Sequence, residues 1–328
     1  MGVSRQTPRP RTVLPDRRPE SRLTFTAVVV THNSEGEVPK LIASVDRHLA
    51  DILRIVFVDN ASEDRTLETI RRLSPQSQLL AFETNVGFGP ATNAGVRAAD
   101  TDVVALLNPD TVVADSSLAR LAELAQSERA LFGPRLLNVD GSPQISAFPA
   151  PASWELGLIA CWPGALLPRP LRERCEPWRL DSRLAAGWLS AACLVACRDL
   201  LLELGPFDER LPLFGEDIDL CVRARAAGVA CVFAPDVARI VHLGSRSSAR
   251  AFADSGMTRK IEARRWVVRN RLGARRARYD LATEFVLHAD RWLVKRALGR
   301  KAATEALWLR SAVHVLRHPR SGDPESLS

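Results

Sequence analysis

The stretch Phe25–Asn33, FTAVVVTHN, is a run of apolar, mostly β-branched residues that ends in polar ones. That is the pattern of a strand buried on both faces of a parallel sheet. Apolar residues then recur at Val38, Leu41, Ile42, Val45 and Leu49 with the spacing of a helix. A second buried strand follows at Arg54–Ser62 (RIVFVDNAS), then a helix from Asp64 (DRTLETIRRL) and a short strand, QLLAFE. A Gly-rich segment, TNVGFGPATNAGVRAA, turns helical before a third strong strand at Asp102–Thr111. Strands alternating with helices predict right-handed βαβ crossovers and an α/β fold. His32 and Asn33, Asp59 and Asn60, and Asn108 and Asp110 stand at the C-terminal ends of these strands. Open α/β sheets bind ligands off those ends, so a polar ligand site is expected there.

Further along, Gly133–Arg183 is rich in Pro and Trp and weakly periodic, reading as loops and short helices able to form an acceptor wall. The run GWLSAACLVACRDLLLELG predicts a buried strand and a helix ending at Gly205, and VACVFAPDVARIVHLGS one or two strands ending at His242. Beyond Ser248 the chain turns basic and helical, and there is no internal repeat. The expected organisation is an Arg/Pro-rich disordered leader over residues 1–22, a main domain over 23–248 and a basic amphipathic helical region over 249–328.

Composition sharpens this picture at two points. With 328 residues, 46% hydrophobic and 25% charged, the chain can bury a sizeable core. Its net charge of +7 is concentrated at the end, where 17 Lys and Arg face 5 Asp and Glu between Thr258 and Arg320. Such a segment can meet nucleic acid, anionic lipid or an acidic partner. Leu281, Phe285, His288, Ala289, Trp292 and Leu293 recur there at helical spacing, with Arg291, Lys295, Arg296, Arg300 and Lys301 around them. A stripe of that kind suits an anionic membrane surface, or packing on the main domain, better than a phosphate groove, and no nucleic-acid partner is expected. The six cysteines form no CxxC pair and read as reduced, buried thiols of a cytosolic protein. The leader has no apolar core of a secretory signal, and no apolar run is long enough to span a bilayer, so any membrane contact is peripheral.

Several short stretches carry candidate chemistry. The segment Asn85–Gly95 (NVGFGPATNAG) fits neither a P-loop nor GxGxxG. It is a tight turn before a helix, with Asn85 and Asn93 adding capacity for polar recognition. Asp59, Asn60, Ser62 and Asp64 can hydrogen-bond a base or ribose, and the same DNASED string can cap a helix. In Asn108-Pro109-Asp110 the proline fixes a turn that presents Asp110 at the sheet's rim, where a hard oxygen ligand can hold Mg²⁺ or Mn²⁺ on a diphosphate. His242, at a strand end, is either a satisfied buried histidine or a second ligand to such an ion. Glu216, Asp217 and Asp219 crowd into the start of a helix in LFGEDIDLCVRARAAG, more acids than capping requires.

Taken in order, VVVTHN, VFVDNASED, NVGFGPATNAG, LLNPDT, GWLSAACLVACRD, GPFDERLPLFGEDIDLCVRARAAG and VHLGSRSS resemble the GT-A fold family 2 glycosyltransferases. The likeness is greatest to the rhamnosyltransferase-like branch of bacterial cell-wall and polysaccharide assembly, and it covers about Thr24–Ser248. It implies a mixed, mostly parallel central sheet flanked by helices. It further implies that Thr31, Asn33, Asp59 and Asn60 sit around the nucleotide of a nucleoside-diphosphate sugar. Asn85, Gly87, Phe88, Asn93, Gly95 and Asn108 would line the donor cleft, and Asp110 and His242 would contact a divalent metal and the diphosphate. Asp217 matches the family's catalytic base, with Glu216 binding acceptor hydroxyls and Asp219 orienting neighbouring donors or favouring the helix.

The implied reaction is a single inverting displacement: Asp217 takes the acceptor proton, and a donor such as dTDP-β-L-rhamnose yields an α-rhamnoside. The expected acceptor is a lipid-linked, polyprenyl-diphosphate saccharide at the inner face of the cell membrane. Asn108 replaces the first carboxylate of the family's DxD. The QxxRW of processive members is approached only by Glu262-Ala-Arg-Arg265-Trp266, read as coincidence, so transfer is expected to be non-processive. Other sugars, such as galactofuranose or N-acetylglucosamine, remain open, as do a sugar nucleotidyltransferase and a non-catalytic nucleotide-sugar-binding scaffold.

Overall fold

A computed structural model describes residues 23–162, 166–211, 213–244 and 255–318. The leader over 1–22 and the Ser245–Ser248 end of the VHLGSRSS motif lie outside the described residues. The first half follows the predicted alternation: β1 (Phe25–Thr31), α1 (Val38–Leu49), β2 (Leu53–Asn60), α2 (Thr66–Leu73), β3 (Gln78–Phe82), α3 (Phe88–Ala98) and β4 (Val103–Leu107). Every residue of β1 and of β4 is buried, as a continuous apolar run requires. These strands pair in parallel in the order β3-β2-β1-β4. The third strand stops at Leu107, because the Asn108-Pro109-Asp110 turn breaks the ladder before a separate strand, β5 (Thr111–Val113).

The second half completes the sheet. After α4 (Ser117–Ser127) come β6 (Ala130–Gly133), β7 (Arg135–Leu137) and β8 (Ala147–Phe148), then the short helices α5 (Trp154–Cys161) and α6 (Arg169–Cys175). β9 (Leu184–Ala185), β10 (Trp188–Leu189), β11 (Cys193–Cys197), α7 (Arg198–Leu204), α8 (Glu216–Ala226), β12 (Ala230–Phe233) and β13 (Arg239–His242) follow. The main sheet runs β3-β2-β1-β4-β11-β6-β12-β9, with β11 and β9 antiparallel to their neighbours. It is the mixed, mostly parallel sheet that the resemblance implies. A small sheet, β5-β13-β7, brings His242 opposite Thr111 and so beside the Asn108–Asp110 turn. The core lies on both faces of the main sheet, against α1 and α4 on one side and α3, α7 and α8 on the other.

Three helices close the chain: α9 (Ser255–Leu272), α10 (Ala274–Ala297) and α11 (Ala303–Arg317). α9 packs on α8, and α10 packs on α5. The predicted stripe on α10 is therefore only partly free. Leu281 and Phe285 pack against the Trp308 cluster, and His288 stacks on the Trp308 ring at 4.3 Å. Burial pushes the His288 pKa down to about 4, so the ring is neutral inside this contact. Leu293, Val294 and Leu298, at the far end, stay 57%, 56% and 62% exposed.

Candidate active site

The polar strand ends predicted from the sequence open onto one cavity of about 970 Å³. Its base is formed by Val30 in β1 and His32 just after it, Asn60 at the end of β2, Asn85–Phe88 at the start of α3, and Asn108–Asp110 after β4. Trp188 and Ser190–Ala192 form a side wall, with Trp188 held flat against Phe148 at 3.7 Å. Leu213–Ile218 brings the start of α8 to the opposite side. α9 and α10 add Arg259, Lys260, Ile261, Arg264, Arg265, Asp280 and Glu284, and α11 adds Trp308.

The acidic pair is set by backbone geometry. Phe214 and Gly215 both have left-handed φ, +71° and +81°, and Gly215 caps α8. A Cβ on Gly215 would lie 3.2 Å from the Cβ of Ala263 on α9, so the close approach of the two helices needs glycine there. Glu216 is buried, and its Oε2 has no hydrogen-bond partner. Burial, reinforced by the charge of Asp217, raises its pKa well above the carboxylate range. Burial also raises the pKa of Asp217, while the backbone N–H groups of Ile218 and Ala191 and the charge of Arg264 pull it back. Two adjacent buried acids resist ionising together; Asp217 accepts the Ile218 N–H at 2.8 Å, whereas Glu216 Oε2 has no donor, so the geometry favours the charge on Asp217 and the proton on Glu216.

Asp219 does not share this cavity. It is fully buried and accepts the Nε–H of Arg223 at 2.7 Å and that of Arg271, on α9, at 2.6 Å. Arg271 also donates to Asp208 at 2.7 Å. The third acid of the EDID run is therefore an anchor between α8, α9 and the loop before α8, rather than an orienter of groups at the site. Arg264 plays a related part on the cavity side: its guanidinium forks onto Asp280 at 2.7 and 3.0 Å and reaches Glu284 at 3.3 Å. Burial opposes its charge, but Glu284 and Asp280 outweigh that and push its pKa up.

Asp110 and His242 meet, with Asp110 Oδ1 3.2 Å from His242 Nε2. The Gln144 amide nitrogen donates to Asn138 Oδ1 at 2.8 Å and to the His242 carbonyl at 2.6 Å, so its oxygen is the atom facing His242 Nδ1 at 2.9 Å. Nδ1 therefore donates, and a neutral ring points its Nε2 lone pair at the Asp110 carboxylate. Two acceptors face each other, with only a long 3.5 Å contact from the Asn108 amide nearby. A proton or a cation between them resolves this. No cluster of three His, Cys, Asp or Glu able to hold a metal occurs among the described residues. An ion held by one carboxylate and one imidazole, with substrate phosphates and water completing its shell, fits these residues.

The remaining predicted residues separate into those that face the cavity and those that support it. Asn60, Asn85, Gly87, Phe88 and Asn108 line it. Asn60 and Asn85 brace the turn through an Nδ2–Oδ1 bond of 2.9 Å, and the Asn60 oxygen accepts the Val86 N–H at 2.8 Å. Thr31 and Asp59 are fully buried: the Thr31 hydroxyl donates to Asp59, which also accepts the N–H and hydroxyl of Ser62. Asn33 is exposed at φ +51° and accepts the Glu63 N–H at 2.8 Å. These three shape the β1 and β2 ends without lining the cavity.

Asn93 and Gly95 correct the expectation that they line the donor cleft. Asn93 clamps Phe207, donating to its carbonyl and accepting its N–H, both at 2.9 Å. Gly95 faces the sheet, where a Cβ would lie 2.4 Å from Val28 Cγ1. Both hold α3 in place, because an asparagine can satisfy two backbone groups at once and glycine permits close helix-to-sheet contact.

Against this geometry, residues 26–149 match the family described as Glycosyl transferase family 2. The chain is 30% identical over 241 residues to the N-acetylglucosaminyl-diphospho-decaprenol L-rhamnosyltransferase of Mycobacterium tuberculosis, covering 68% of this chain and 77% of that one. The chain belongs to glycosyltransferase family 2. A second relative of this transferase, the succinoglycan biosynthesis protein ExoO of Rhizobium meliloti, is 28% identical over 226 residues, covering 69% of this chain and 62% of that one. In fold it is similar to the mannosyltransferase PcManGT of Pyrobaculum calidifontis in complex with GDP-Man and Mn²⁺, with a TM-score of 0.56 and 18% identity over 96% of this chain and 90% of that one. It is also similar to GalNAc-T7 with UDP, GalNAc and Mn²⁺, with a TM-score of 0.55 and 20% identity over 76% of this chain. The match spans 48% of the GalNAc-T7 chain.

Several residues at or beside the cavity of the glycosyltransferase were given no role from its sequence. His32 is held by donation from Nδ1 to the Asn60 carbonyl at 2.9 Å, and its place at a strand end was the available signal. Gln144 gave none, since it lies in the weakly periodic middle. The Glu262–Trp266 run was read as coincidence, yet Arg264 and Arg265 line the cavity while Trp266 is buried beneath Arg210.

Proposed function

We propose that this family 2 glycosyltransferase is a metal-dependent, inverting, non-processive enzyme that moves L-rhamnose from dTDP-rhamnose to a polyprenyl-diphosphate-linked saccharide. The observation that carries this reading is that one cavity is lined both by Asp217, its pKa raised by burial, and by the Asp110–His242 pair. The name of the mycobacterial relative supports the sugar and the class of acceptor.

In this account Asn60, Asn85, Gly87, Phe88 and Asn108 hold the nucleotide sugar against the strand ends. Asp217 accepts the proton of the acceptor hydroxyl as that oxygen bonds to the anomeric carbon. The bond from that carbon to the diphosphate breaks, and its electron pair leaves with the nucleoside diphosphate, so configuration inverts. Glu216, protonated, offers a hydrogen bond to an acceptor oxygen. A divalent cation bound by Asp110 and His242 would neutralise the leaving diphosphate. Trp188 on its stacked support and the α9–α10 wall exclude water.

No helix among the described residues is long and apolar enough to cross a membrane. Leu293, Val294 and Leu298, next to the exposed Arg296, Arg300 and Lys301, support peripheral contact with anionic lipid at the cytoplasmic face. The direct test offers membrane lipid extract and a panel of radiolabelled nucleotide sugars to the enzyme with Mg²⁺ or Mn²⁺, and with EDTA. Label entering lipid only from dTDP-rhamnose, and only with metal, is expected. Transfer from another donor alone would replace rhamnose, and transfer undiminished by EDTA would remove the metal.

A further inference from the structure

A second cavity, about 640 Å³, lies among α9, α10 and α11 and shares Arg265, Ala277 and Leu281 with the catalytic cavity. Its lining is mostly apolar, with Ala282, Phe285, Val286, Val313 and Leu316 along it. Val286 and Leu316 are 40% and 54% exposed, so the groove presents apolar surface to solvent. Three arginines stand on the same groove: Arg265 and Arg269, one turn apart on α9, and Arg278 on α10. Arg269 and Arg278 are exposed, and Arg265 is anchored by donation to the Val315 carbonyl at 3.1 Å. The nearby carboxylates Asp280 and Glu284 pair with Arg264 on the catalytic side, and neither lines the groove.

An apolar trough bearing guanidinium groups and running into a catalytic cavity has the chemistry of an amphiphile with an anionic head. Guanidinium forks suit phosphate oxygens, and a free phosphate would have no use for the apolar wall. A flat bilayer surface would meet a convex face rather than a groove. We propose that this groove holds the first isoprenoid units of the polyprenyl-diphosphate acceptor, with Arg265, Arg269 and Arg278 on its diphosphate and the attached sugar directed towards Asp217. The inference rests on the lipid-linked acceptor reading above and adds the residues that recognise the lipid.

The test is binding of geranylgeranyl diphosphate to the full chain by calorimetry, with inorganic diphosphate and phosphatidylglycerol vesicles as comparators. The variants are Ala282→Trp, which fills the groove from an exposed position, and the double variant Arg269→Ala/Arg278→Ala, with melting temperatures as the fold check. Wild type is expected to bind the prenyl diphosphate, and each variant to weaken it at least about tenfold, as loss of charge-assisted contacts or of the apolar site requires. No binding by wild type, equal binding of inorganic diphosphate, or a loss confined to vesicles would overturn the proposal. Transfer separates the two readings. Normal transfer to a lipid-linked acceptor by Ala282→Trp would refute the groove alone, whereas wild-type transfer only to water-soluble saccharides would refute the lipid-linked acceptor itself.

Discussion

Asp217 occupies the second position of α8, where the helix dipole favours its charge and burial disfavours it. Burial dominates, so its pKa lies above that of an ordinary carboxylate. A base must be ionised to act; transfer should therefore fall as pH drops through this raised value, well before pH 4, and a pH–rate profile flat down to pH 4 would contradict the assignment. Glu216 gives a stability effect of definite sign. Its folded pKa is raised, so the native state binds more protons than the unfolded one between the two values, and stability falls as pH rises across that window. Glu216→Gln should flatten this part of the melting-temperature curve. Gln144→Leu would release His242 Nδ1, and the Mn²⁺ concentration for half-maximal transfer should rise about 10- to 100-fold, the cost of losing a supporting partner of a metal ligand. An unchanged requirement would take His242 out of the metal site. At this scale the sequence shows residue types but not their directions. Asp110, Asp217 and His242 could be singled out because Asp110 sits in the turn after a strand, Asp217 at a helix start and His242 at a strand end. Asn93 and Gly95 were not, because only the packed structure reveals that they face Phe207 and Val28.

Among the elements, α3 and α8 carry the site and are fixed by different means. α3 needs glycine against β1, and Gly95→Ala should cost about 1–3 kcal/mol by overpacking, read as a lower melting temperature. α8 is tied to α9 through Asp219 and Arg271. Arg271→Met removes charge-assisted bonds to two carboxylates while Arg223 still serves Asp219, and a loss of about 2 kcal/mol is expected. Strand and helix identities in the first half followed from periodicity, since burial on one or both faces writes itself into the spacing of apolar residues. β5, β7, β8, β9 and β10 span only two or three residues each, too few to show a period.

For the molecule as a whole, the strand ends of the sheet supply one side of the cavity and the closing helices another. The sequence announced a basic helical end but left open whether it met membrane or protein, because an amphipathic stripe suits either surface. The structure divides the stripe: Leu281, Phe285 and His288 meet Trp308, and Leu293, Val294 and Leu298 remain outward. A Leu293→Glu/Leu298→Glu variant should lose sedimentation with phosphatidylglycerol vesicles while keeping its melting temperature; undiminished sedimentation would put the membrane face elsewhere. The central claim is that Asp217 does the proton chemistry in a cavity otherwise built for binding. Its most direct test compares Asp217→Asn with wild type for both sugar transfer and nucleotide-sugar affinity. The account predicts a drop in transfer of about 10²- to 10⁴-fold with affinity retained. Transfer by Asp217→Asn near the wild-type rate would contradict it.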